Sequence, residues 1–249
     1  MSRTNDHQPP VIDAKLRARL FLVKLFDALC SIPKWNRFHR ILRQHAAKRD
    51  DFFFVQIGAN DGVIYDPIHV YVKRQQWRGI LVEPVTHCFN KLKTNYSGNA
   101  KLLFENVAIS DKEEVREFYR IREGQDFLPK WCEGLGTFYP EVLLTHKWAL
   151  PNIEEYMVKE AVPCISFDSL LRKHAVSYID LLLIDTEGHD YQILKQLDFA
   201  TLKPTLIVFE HQYFSKGERE ACASLLAAHK YSVCRHLGNT LAFHPTGVA

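Results

Sequence analysis

The stretch FFFVQIGANDG, residues 52–62, constrains the fold more than any other part of the chain. Its apolar run reads as a strand buried on both faces, the habit of parallel sheets. Gly58 and Gly62 then bracket Ala59, Asn60 and Asp61. Glycine lacks a Cβ, so the backbone there can turn sharply and let a ligand approach. A helix after such a turn offers that ligand its free amides.

The alternation continues downstream. DPIHVYVKRQQ (66–76) reads as a helix, GILVEP (79–84) as a second strand, VTHCFNKLKTNY (85–96) as a second helix and KLLFENVAIS (101–110) as a third strand. Residues 112–165 interrupt the rhythm. EVREFYRI reads as a short strand, a Gly- and aromatic-rich run covers 131–148, and a helical segment reaches about Glu160. Long insertions of this kind commonly form lids or substrate loops, and a lid is the expectation for about 120–165. YIDLLLID (178–185) and PTLIVFEH (204–211) then read as strands, HDYQILKQL (189–197) and EREACASLLAAHK (218–230) as helices. YSVCRHL and TLAFHP flank GN as a terminal hairpin. Strands separated by helices imply right-handed crossovers and a mostly parallel α/β sheet over residues 51–249.

Residues 1–50 precede that domain as a helical extension. Its first ten residues are polar and read as disordered; Leu16, Leu20, Val23 and Phe26 give helical spacing over 11–31, and a basic helix over 34–50 follows Pro33. Packing on the main domain is the favoured reading, and a homodimer surface the alternative. LFLVKLFDALC (20–30) resembles a signal sequence, but Lys24 and Asp27 interrupt it. No run reaches the ~20 apolar residues of a spanning helix, so a cytoplasmic protein without a transmembrane segment is expected. A net charge of +3 is too mild for a nucleic-acid partner. The six cysteines are scattered, without zinc spacing, and read as core thiols.

In open α/β sheets ligands bind beyond the carboxyl ends of the strands, next to strand one. That assigns the cofactor to Gln56, Gly58, Ala59, Asn60, Asp61 and Gly62. A dinucleotide fingerprint wants three glycines, and here there are two with an acid between them. The carboxylate of Asp61 would repel a pyrophosphate and suits a cationic ligand such as S-adenosylmethionine. Glu83, about twenty residues on, can accept both ribose hydroxyls, and Asn106 and Ala108 fall where an adenine would lie. Asp185, Glu187 and His189 follow one strand while Glu210 and His211 end the next, so all five should crowd one mouth.

The motifs VQIGANDG, LVEP, NVAIS, SFDSLL, IDLLLIDTEGHDYQIL and LIVFEH, in this order, resemble the FkbM-type family of S-adenosylmethionine-dependent methyltransferases. The resemblance covers roughly residues 51–245. It implies a Rossmann-like class I methyltransferase fold, a seven-stranded sheet whose last strand is antiparallel. It also implies O-methylation of a hydroxyl on a sugar, glycan, lipid or secondary metabolite. His189 and the insertion depart from the family pattern. A nicotinamide-dependent oxidoreductase and a non-catalytic nucleotide-binding module are the alternatives. For the acceptor's proton, a metal-free base (His211 or His189) is favoured. A Mg2+ ion on Asp185, Glu210 and His211 is the alternative, because hard oxygen ligands suit that ion.

Overall fold

A computed structural model of the chain describes residues 14–15, 17–22, 36–47, 49–125, 128–236 and 238–244. The polar first ten residues and most of the first expected helix lie outside them. Residues 17–22 are helical.

The main sheet has seven strands: β1 (Phe53–Ile57), β2 (Arg78–Val82), β3 (Leu102–Glu105), β8 (Leu181–Ile184), β9 (Leu206–Glu210), β10 (Ser232–His236) and β11 (Asn239–Phe243). Their spatial order is β10-β11-β9-β8-β1-β2-β3. β1 pairs in parallel with β2 and β8, which leaves it central, and only β11 runs against its neighbours β9 and β10. This is the mostly parallel sheet with an antiparallel last strand that the sequence leads one to expect.

Side-chain alternation along the strands sorts the core into two faces. Phe53, Val55 and Ile57 pack with Leu182, Ile184, Ile207 and Phe209. That face is covered by α5 (Phe167–Lys173), α6 (Asp190–Leu194) and α7 (Lys216–Ala228), through Phe167, Leu170, Ile193, Leu194 and Leu226. Phe52 and Phe54 pack with Leu81, Leu181, Leu183 and Val208 on the other face. There α1 (Asn36–Ala46), α2 (His69–Gln75) and α3 (Thr86–Asn95) supply Phe38, Leu42, Val72 and Leu92. At roughly 1.5–3 kcal/mol per buried large side chain, these two faces are the main source of stability. The basic helix α1 is therefore packed on the sheet.

A second sheet departs from expectation. The run 101–110 is two strands, because the chain leaves the main sheet after β3 and enters another as β4 (Ala108–Ser110). Asn106 fixes the crossing, its Nδ2 donating to the carbonyls of Glu83 at 2.8 Å and Pro84 at 3.0 Å. The segment expected to be helical to Glu160 has only a short 3-10 turn, Ile153–Tyr156, before it becomes strand. β7 (Met157–Ser166) pairs with β4 and with β5 (Glu114–Ile121), and β5 pairs with β6 (Gly136–Thr137). Around α4 (Pro140–Leu144), Leu128, Leu135, Leu143, Leu150 and Ile153 form a separate core, to which Leu20 of the N-terminal helix contributes. The insertion is a packed subdomain. The five described cysteines are free thiols, four of them buried. Among the described residues no helix is long and apolar enough to cross a membrane.

Candidate active site

A cavity of about 240 Å3 opens at the carboxyl ends of β1, β2 and β8. Gln56, Gly58, Ala59, Asn60, Glu83, Ala108, Asp185, Glu187 and His189 line it, joined from the insertion by Trp131, Phe138 and His146. Most of the expected residues thus meet in one place. Five do not: Asp61, Gly62, Asn106, Glu210 and His211 lie outside the lining, the last two at the end of β9.

Each exception has a structural cause. Asp61 turns back on its own loop, Oδ1 accepting from the amides of Val63 at 2.9 Å and Ile64 at 2.8 Å. It shapes the turn. A Cβ on Gly62 would meet the Tyr96 ring at 2.4 Å, so that glycine makes room for α3. Asn106 is engaged in the strand crossing described above. Gly58 lines the cavity, but its empty side answers to protein. With φ of +81°, a Cβ there would stand 1.8 Å from the carbonyl oxygen of Asp185.

Glu83 is buried after β2. Its Oε2 accepts from the Asn60 amide and its Oε1 from the Val85 amide, each at 2.8 Å. Burial pushes its acid up to about 7 against those two bonds. Each carboxylate oxygen keeps a lone pair beyond the one it uses, so the residue can still receive hydroxyls.

Beyond β8 the chain is strained. Glu187 has φ of +50° and Gly188 +100°. For a non-glycine residue this conformation is held only when the surroundings enforce it, a habit of functional loops. Thr137 of β6 helps, donating Oγ1 to the Glu187 carbonyl at 2.7 Å. One carboxylate oxygen from each of Asp185, Glu187 and Glu210 lies within 4.8 Å of the others. Oε2 of Glu187 and Oε2 of Glu210 have no hydrogen-bond partner. Burial first, then neighbouring negative charge (Asp190 in the case of Glu187), moves all three acids upward: Asp185 well above its usual range, Glu187 to about 7 and Glu210 to about 12. Asp185 retains accessible surface within the cavity, yet the surrounding protein desolvates it. The Tyr213 hydroxyl, which lies 3.2 Å from His146 Nε2, opposes the shift of Glu187.

The histidines separate. His211 faces away from the acids, Nδ1 lying 2.9 Å from Thr240 Oγ1, and lines a different cleft with Phe209, Phe214 and Cys222. It can neither complete a metal site with Asp185 and Glu210 nor act as the base. His189 is in place, its Nδ1 2.9 Å from the Tyr139 hydroxyl and its Nε2 unpartnered. Burial lowers it to about 4, so it is neutral but a poor proton acceptor. Sequence reasoning missed Asp66, Tyr213 and His146 in the lining. Only Asp66 had a local signal, an acid directly before Pro67 at a helix start.

The strand order and the position of the cavity define a Rossmann-like class I methyltransferase fold. The chain matches the family model of the methyltransferase FkbM domain over residues 56–236, and it belongs to that family. Among solved structures it is similar to the methyltransferase FkbM of Methylobacillus flagellatus KT, with 14% identity and a TM-score of 0.46, over 78% of this chain and 44% of that one. It is also similar to the N-terminal domain of human METTL16 in complex with SAH (11% identity, TM-score 0.44, over 85% and 69%). A third is the human methyltransferase 10 domain containing protein (11%, 0.42, over 92% and 96%). The chain thus spans less than half of the M. flagellatus protein. No curated protein matches it significantly.

Proposed function

We propose that the protein transfers a methyl group from S-adenosylmethionine to a hydroxyl of a sugar, glycan, lipid or secondary metabolite. The observation that carries this reading is Glu187, whose unpartnered Oε2 belongs to a cavity-lining acid shifted to about 7. A general base works best when its pKa lies near the working pH, and contributes roughly 10²–10⁴ in rate. A non-catalytic module has no use for such a group. The residues fit the donor: Glu83 has lone pairs for two ribose hydroxyls, and Ala108 offers a flat wall beside it. The bound donor would supply an electrophilic methyl carbon on a sulfonium. Oε2 of Glu187 takes the proton from the acceptor oxygen, and Thr137 holds the residue's backbone in position. Trp131, Phe138 and His146 close the cavity from the insertion and exclude water.

A second reading has its own observation. The oxygens of Asp185, Glu187 and Glu210 are close enough to hold one divalent cation, which would relieve their repulsion and polarise the acceptor oxygen. This donor set replaces the one with His211. Incubation with methyl-labelled S-adenosylmethionine and a panel of polyhydroxylated acceptors tests the function, with and without a chelator. An alkali-stable methyl ether, formed equally with chelator, is expected. Label in an amine or ester would refute methylation of a hydroxyl, and activity lost to chelator and restored by magnesium would favour the cation.

A further inference from the structure

A second cleft, of about 110 Å3, lies between α7 and the strands β9 and β10. Among the described residues it shares none of its lining with the active-site cavity. Strand pairing puts Phe209 of β9 and Arg235 of β10 on either side of Thr240 in β11, so their side chains stand in one row on one face of the sheet. β10 is the sheet's edge, and α7 leaves part of it uncovered: Val233 is 50% exposed. The result is an apolar floor of Phe209, Phe214, Cys222 and Leu226 that opens to solvent beside two exposed arginines, Arg219 and Arg235.

Among the described residues no acid lines this cleft, and neither arginine forms an ion pair. The acids of α7 are engaged elsewhere: Glu218 closes a capping box with Ser215, and Glu220 faces Lys216 at 4.0 Å. Arg219 is fixed by two backbone carbonyls, its Nε donating to Phe214 at 2.9 Å and its Nη2 to Gln212 at 3.1 Å, which leaves its other N–H groups to donate. The Arg235 charge acts on both His211 and the Cys222 thiol, which places its guanidinium over the floor. Burial, then the charges of Arg235 and Arg219, lower His211, so the imidazole stays neutral.

Two cations without an acid, at the edge of an apolar cleft, complement one kind of ligand: an apolar body with a negative end. A closed cavity of ~150 Å3 admits benzene. A cleft of about 110 Å3, open on one side, therefore has room for a single ring and is too small for a peptide segment. We propose that it binds a small organic anion, with a ring-sized apolar group on Phe209, Phe214 and Leu226 and a carboxylate between Arg219 and Arg235.

The test titrates the full chain, labelled at its Leu and Val methyl groups, with phenylacetate and with its neutral analogue phenylacetamide, followed by methyl NMR. Phenylacetate should give saturable shifts at Leu226 and Val233 and bind about fivefold more tightly than the amide, the effect of a solvent-screened charge pair. Arg235→Gln should lose about fivefold in affinity for the acid and nothing for the amide. Arg235 is exposed, so the variant should fold, and unchanged methyl signals away from the cleft report that it does. Excess S-adenosylhomocysteine should leave the phenylacetate affinity unchanged, because the two sites are separate. Absence of saturable shifts at Leu226 and Val233, equal affinities for acid and amide, an unchanged affinity in the variant, or displacement by S-adenosylhomocysteine would each overturn the proposal.

Discussion

Replacing Gly58 by alanine should destabilise the protein, and the size of the effect follows from two observations. The new Cβ would stand 1.8 Å from the Asp185 carbonyl oxygen and 2.8 Å from its carbonyl carbon, both backbone atoms that cannot swing aside. The residue must also keep a φ near +81°, which costs an alanine about 1–2 kcal/mol. Relief of the clash requires the ends of β1 and β8 to part. That strains the Asp185 N–H bond to Ile57 O (2.9 Å) and the Gly58 N–H bond to Val82 O (3.0 Å), each worth roughly 0.5–1.5 kcal/mol. Together these give a loss of about 2–5 kcal/mol, or a Tm lower by roughly 10 °C for a chain of this size. Urea unfolding followed by circular dichroism measures it. Gly217→Ala is the control, because nothing lies within 4 Å of its Cβ and it sits in α7. That variant should be unchanged or more stable by up to ~1 kcal/mol. A Gly58→Ala protein within ~1 kcal/mol of wild type would refute the argument that this glycine serves the strand ends rather than only a ligand.

Glu187→Gln should lower kcat by roughly 10²–10⁴; the wild-type rate should climb with pH through about 7 as the carboxyl ionises, and the variant's residual rate should not. A pH–rate profile checks both. Glu83→Ala should destabilise the protein by about 1–3 kcal/mol, since the Asn60 and Val85 amides lose their acceptor, and should weaken donor binding by roughly tenfold or more. Denaturation and calorimetry separate the two effects. Glu83, Glu187 and Glu210 hold protons in the folded state that the unfolded chain releases near pH ~4.3. Their contribution is therefore full below that pH and lost as pH rises through about 7, continuing higher for Glu210. Glu210→Gln should match wild-type stability near pH 4 and exceed it by at least about 1 kcal/mol at pH 8, in urea titrations at both pH values.

The strands of the main sheet were legible because burial on both faces leaves continuous apolar runs, as in FFFVQI and YIDLLLID. The second sheet was not. β7 reads ambiguously because its residues are mostly half-exposed, and the division of 101–110 depends on Asn106 reaching the carbonyls of Glu83 and Pro84, a contact between distant segments. In the site, residue type was visible while direction was not. Asp61 and Asp66 are both acids near the turn, yet only Asp66 lines the cavity. His211 could have been set aside from sequence, since it directly follows Glu210 at a strand end and alternate residues point to opposite faces. Glu187 shares the cluster despite its place in a loop because its left-handed backbone redirects the side chain, which no periodicity reports.

The central claim, a cavity built for S-adenosylmethionine, is tested most directly by titrating the protein with S-adenosylhomocysteine and with NAD under the same conditions. The account predicts saturable one-to-one binding of S-adenosylhomocysteine and no heat of binding from NAD. Saturable binding of NAD without binding of S-adenosylhomocysteine would contradict it.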